Sequence, residues 1–93
     1  MVVAVLECRC RILGSTSLKD KRRAVKSGLS RIRSRLNLSV AEVGSQDDRQ
    51  FADLAVAGVG SGSRVVEQEL RQAQSLLESI EGLEIIDAEI AFL

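Results

Sequence analysis

The hydrophobic positions along this 93-residue chain switch between a period of two and a period near 3.6, and the switches mark six elements. In residues 2–12 the even positions Val2, Ala4, Leu6, Cys8, Cys10 and Ile12 are apolar, while the odd ones run Val3, Val5, Glu7, Arg9 and Arg11. That alternation predicts a strand with one buried face. Over 18–36 the apolar residues Leu18, Val25, Leu29, Ile32 and Leu36 fall on one helical stripe. Ser17 and Asp20 supply an S-x-x-D start signal, the hydroxyl accepting from a free backbone N–H. Residues 38–43 (LSVAEV) and 51–59 (FADLAVAGV) predict two strands joined as a hairpin through the polar loop GSQDDRQ. A second helix is expected over about 64–81, capped by Ser63, burying Val66, Leu70, Ala73, Leu77 and Ile80, and stopped by Gly82. Residues 83–93 predict a last strand in which Ile86, Ala88, Ile90 and Phe92 share a face.

The order strand, helix, strand, strand, helix, strand is the split βαβ of an α+β, ferredoxin-like βαββαβ fold, a four-stranded antiparallel sheet with two helices on one face. Right-handed crossovers set the strand order as 4-1-3-2. Residues 1–93 are then a single domain, near the size at which one modest core is buried. Gly28, in the middle of the first helix, is expected to permit a close approach of the second, and Arg35 to come near Glu69.

Composition narrows the chemistry. An apolar fraction of 45% and a charged fraction of 28% belong to a globular protein. The opening run MVVAVL stops at Glu7, short of a secretory leader or a membrane span, so the expectation is a complete, cytoplasmic chain without membrane attachment. With no histidine, Ser-His and Cys-His nucleophile pairs are excluded. Cys8 and Cys10 share one strand face and supply at most two of the four ligands a structural zinc requires, so they read as buried reduced thiols. Asp47, Asp48 and Asp53 surround one hairpin and are the only candidate metal acids, but a polar turn needs such residues anyway. No catalytic residue, metal or cofactor is assigned, and the chain reads as no enzyme.

The charge pattern says more. The net charge is zero, yet residues 1–35 hold ten basic and two acidic side chains, and residues 36–93 hold three and eleven. Eight of the thirteen basic residues lie in the stretch TSLKDKRRAVKSGLSRIRSRL. At 100° per residue from the apolar stripe, Lys19, Arg22, Arg23, Lys26 and Arg33 fall between roughly +40° and +140°, a basic flank of the first helix, with Lys21 at the stripe's other border. Glu67, Glu78 and Glu81 occupy the corresponding flank of the second helix, and fold handedness sends the two flanks to opposite edges. A neutral sum thus conceals a local positive field of the kind that attracts a polyanion. The competing reading is a merely solvated face.

Two other surfaces remain open. The turn GVGSGS, Gly58–Ser63, precedes a helix and can present N–H groups to phosphate, but it matches no nucleotide-binding pattern and serves equally as a flexible connection. The sheet face away from the helices is expected to show Val3, Val5, Glu7, Arg9 and Arg11 beside Ile85, Asp87, Glu89, Ala91 and Leu93. With Phe51 and Phe92 the only aromatics, that face cannot build a base-stacking platform, but it can pair two copies.

The segment SLKDKRRAVKSGLSRIRSRLNLSVAEV, the pair Gln46–Asp47 and the closing EIIDAEI resemble the YlxP-like proteins, a small bacterial family of unknown function. The resemblance implies a ferredoxin-like fold and, through a usual gene neighbourhood of translation-initiation and ribosome-maturation genes, a ribosomal connection. It implies no activity and no catalytic residues. Where relatives carry an aromatic in the hairpin turn, this chain has Asp48 and Arg49. The expectation is a non-enzymatic interaction module that binds structured RNA or ribosomal particles through Lys19, Lys21, Arg22, Arg23, Lys26 and Arg33. The alternative is a homodimer through the sheet face with no nucleic-acid role.

Overall fold

In the computed structural model, which describes residues 1–93, the even positions of the first strand turn inward as their alternation requires. This strand, β1 (Val2–Ile12), buries Ala4, Leu6, Cys8, Cys10 and Ile12. After it come α1 (Leu18–Arg35), β2 (Ser39–Gly44), β3 (Phe51–Gly60), α2 (Ser63–Glu78) and β4 (Leu83–Phe92). All pairings are antiparallel and the strand order is β2-β3-β1-β4, the expected 4-1-3-2 read from the other edge. Both helices lie on one face. Val25, Leu29 and Ile32 of α1, and Val66, Leu70, Ala73 and Leu77 of α2, close over the inward residues of the sheet. The fold is ferredoxin-like.

The local signals act as their chemistry dictates. Ser17 Oγ accepts from the Asp20 N–H at 3.1 Å, and the Asp20 carboxylate accepts in return from the N–H and hydroxyl of Thr16 at 3.3 and 3.1 Å. These bonds hold the Asp20 carboxyl below its usual range. Gly82 takes φ +84°, a left-handed conformation glycine adopts without strain, and turns the chain from α2 into β4. The start of α2 departs from expectation, because Gly62 and not Ser63 is the cap residue and no side chain bonds the first turn.

Gly28 fulfils its expectation, since a Cβ placed there would lie 3.0 Å from Leu77 Cδ2 on α2. The ion pairs in the chain are Arg9–Asp53 and Lys21–Glu42. The last strand carries the main correction. Arg9 pairs with Asp87 but Cys10 pairs with Ile85, so the register slips by one residue and Ile86 is the extra residue of a β-bulge. Ile85 therefore turns onto the core beside Ala88 and Ile90, whereas Ile86 is half exposed. Strict alternation through the bulge assigns these two isoleucines to the wrong faces.

Candidate nucleic-acid interface

Lys19, Arg22, Lys26 and Arg33 recur at intervals of three, four and seven residues, so a right-handed helix stacks them in one row about 21 Å long at 1.5 Å rise per residue. All four are exposed. The row overlooks the β2 edge of the sheet, because the Arg33 guanidinium donates to the Val40 carbonyl of β2 at 3.0 Å. That bond orients Arg33 while leaving it accessible. None of the four meets an acidic side chain within ion-pairing distance, so their charge is uncompensated inside the molecule.

Arg23 is exposed as well but stands over the crest of the helix, where it lines the cleft between the helices with Asp20, Ser27, Arg31, Ser79 and Glu81. It extends the basic surface sideways. Arg31 reaches the same cleft and donates to Ser79 Oγ at 3.5 Å.

Lys21 is corrected. Its side chain is wholly buried, its ammonium 2.9 Å from Glu42 Oε2 and donating to the Ser45 carbonyl in the β2–β3 turn. A lysine is almost never buried unless paired, and here the pair fastens the start of α1 to the hairpin. It contacts no solvent and offers nothing to a phosphate. The sequence signal was its place at the border of the apolar stripe, with Glu42 at an inward position of β2.

The other candidate chemistry resolves into structure. Gly58 and Gly60 lie within β3, and a Cβ at either would come within 2.9 Å of Leu38 or Val66 side-chain carbons. These glycines admit close packing of side chains against the strand. Asp48 Oδ1 accepts from the N–H groups of Gln50 and Phe51, which hold its carboxyl below the usual range, and Asp53 is engaged by Arg9 and Ser45. No three acidic or cysteine side chains converge as metal ligands. Burial pushes the Cys8 thiol up to about 11 and the Cys10 thiol up to about 12, so neither is a nucleophilic thiolate near neutral pH. No helix is long and apolar enough to cross a membrane.

The molecule is thus a ferredoxin-like domain with a basic ridge along its first helix that forms no ion pair, and with eleven of its thirteen acidic residues beyond residue 35. It belongs to the family described as "Protein of unknown function (DUF503)", whose profile matches residues 3–90. It is 32% identical over 83 residues to the "Uncharacterized protein YlxP" of Bacillus subtilis (strain 168), covering 89% of this chain and 90% of that protein. Among solved structures it resembles the de novo designed protein LFR1 1 with ferredoxin fold, at TM-score 0.58 and 11% identity, over the whole of this chain and 84% of that one. The designed protein shares the fold alone.

Proposed function

We propose that the protein is a non-enzymatic module that holds the phosphate backbone of structured RNA on the ridge formed by Lys19, Arg22, Lys26 and Arg33, with Arg23 at its side. The observation that carries this reading is that Lys19, Arg22, Lys26 and Arg33 form no ion pair, although the chain has as many acids as bases; Arg23 has Asp20 and Glu81 beside it in the cleft. Helix α1 carries eight basic side chains and one acid, Asp20, while eleven of the thirteen acids lie beyond residue 35, which leaves a positive field along α1. Such a field draws polyanions by releasing their counterions. Phosphate contacts position a nucleic acid without reading its sequence, and no aromatic side chain lies on α1 to stack a base. The reading is therefore of shape-directed binding, with ribosomal RNA as the probe the family's gene context recommends.

A gel-shift titration of structured ribosomal RNA fragments at about 50 mM salt tests it, using the parent and Arg22→Glu/Arg23→Glu/Lys26→Glu. The parent binds and the triple variant does not, with unchanged circular dichroism, since exposed substitutions cost little stability. Equal binding by the two proteins, or binding by neither, overturns the reading.

A further inference from the structure

Beyond the basic ridge, the sheet carries a second surface. A solvated face of an antiparallel sheet alternates buried apolar with exposed polar residues. One end of the helix-free face here breaks that rule: Val3, Val5, Ala41, Ala55, Ala57, Val59 and Ala91 all point outward in adjoining registers. At the other end lie Arg9, Arg11, Phe51, Asp53, Asp87 and Glu84. Glu7 and Glu89 stand directly opposite each other between the two ends.

We infer that this face docks a second copy of the chain, face to face, about a two-fold axis parallel to the strands and lying between β1 and β3. Charge selects the axis. An axis across the strands would lay each strand on its own copy and bring Glu84, Asp87 and Glu89 of β4 against the same carboxylates. The parallel axis instead sets β1 on β3 of the second copy and β4 on its β2, so that Glu89 meets Ala41 and Asp87 meets Gly44 of the second copy, both uncharged; Glu84 lies beyond the end of β2, beside the loop that carries Asp47 and Asp48. Since Arg9 pairs with Asp53 within one chain, the exchange also places Arg9 of each copy over Asp53 of the other, closing a ring of two arginines and two aspartates. It likewise sets Arg11 over Phe51 of the second copy, Val5 over Ala57 and Val3 over Val59. The surface is self-complementary, as an isologous dimer demands. The costly level is Glu7 with Glu89, which meet only Ala55 and Ala41 of the second copy. The RNA-binding ridge lies on the opposite side of the sheet, so the two readings stand or fall separately.

Light scattering of the parent at about 100 μM, where a micromolar interface is populated, gives twice the 10.1 kDa chain mass. Val5→Glu returns the protein to monomer with its circular dichroism intact, and Glu7→Gln tightens the dimer several-fold. The axis is read by thiol cross-linking with a short bismaleimide, since stacked sheets stand about 10 Å apart and a disulfide cannot span them: Val3→Cys, at one end of β1, faces the same end of the second copy and cross-links with itself, the native cysteines being buried. A monomeric parent overturns the inference. So does a dimer that survives Val5→Glu, or one in which Val3→Cys fails to cross-link with itself, as an axis across the strands requires.

Discussion

Lys21 Nζ stands 2.9 Å from Glu42 Oε2, although no part of the lysine side chain reaches solvent. The contact is an ion pair and not an aligned hydrogen bond, since Glu42 Oε2 is itself buried and lacks a hydrogen-bond partner. Removing one member of such a pair strands a buried charge, at about 3–5 kcal/mol. Lys21→Ala is expected to cost that much in urea unfolding. Lys21→Met, which keeps the packing volume, costs less and leaves RNA affinity unchanged at temperatures where the fold is intact. A loss of RNA binding by folded Lys21→Met would return this residue to the interface.

Gly28 and Leu77 define a second constraint. A Cβ at position 28 would sit 3.0 Å from Leu77 Cδ2, a carbon of a fully buried side chain. Alanine gains about 1 kcal/mol of helix propensity over glycine, so at an open site Gly→Ala stabilises. Here Gly28→Ala is expected to lose that gain to crowding and lower the urea midpoint, and Gly28→Leu to cost at least about 1–3 kcal/mol more. A raised midpoint for Gly28→Ala would mean that the helices can move apart freely.

The bulge in β4 yields a paired test. Ile85→Glu puts a carboxylate against the core beside Cys10, whereas Ile86→Glu adds one at a half-exposed position. The first is expected to destabilise by at least about 3 kcal/mol and the second by under about 1 kcal/mol, by thermal unfolding. Strict alternation through the strand predicts the reverse order.

Why the sequence yields some of these relationships and hides others follows from their range. Element order, sheet topology and the inward faces of β1, α1 and α2 are legible because each is set by a period repeated over ten or more residues, which a single exception does not erase. The bulge at Ile86 is one residue long. It leaves Ile85 and Ile86, two identical side chains, to exchange faces with no local mark. The burial of Lys21 depends on Glu42, twenty-one positions away and brought beneath α1 only by tertiary packing. The ridge itself was visible, because exposure follows from helical angle alone.

The two buried thiols predict an alkaline limit to stability. The ordinary thiol value is 9.0, and burial raises Cys8 to about 11 and Cys10 to about 12. Both are neutral in the folded protein while the unfolded chain begins to lose protons near pH 9. Their contribution is therefore fully present below pH 9 and is lost as pH rises through about 11 to 12. Each thiol adds a slope of up to about 1.4 kcal/mol per pH unit in that window. Urea unfolding at pH 8, 9 and 10 should show a steeper decline for the parent than for Cys8→Ala/Cys10→Ala. Parallel declines would show that the thiols ionise as readily in the folded state.

On the proposed function, the salt dependence of RNA binding measures how many of the ridge side chains engage phosphate. Each neutralised phosphate contributes about −0.7 to −0.9 to the slope of log affinity against log salt, so the four-residue ridge gives about −3 to −4. Removing one contact then reduces the magnitude by under one unit. Lys26→Ala, in the middle of the ridge and bonded to nothing, should show that single decrement with similar loss on unrelated RNA sequences. Arg33→Ala should show a larger fall in affinity for the same change in slope, because its guanidinium is already oriented by the Val40 carbonyl and loses less rotamer freedom on binding. An exposed acid on α2 serves as the control: Glu78→Ala, at the end of that helix and in no ion pair, leaves the slope unchanged. A parent slope near zero, with binding retained, would mean that the RNA is held by something other than the charge on α1.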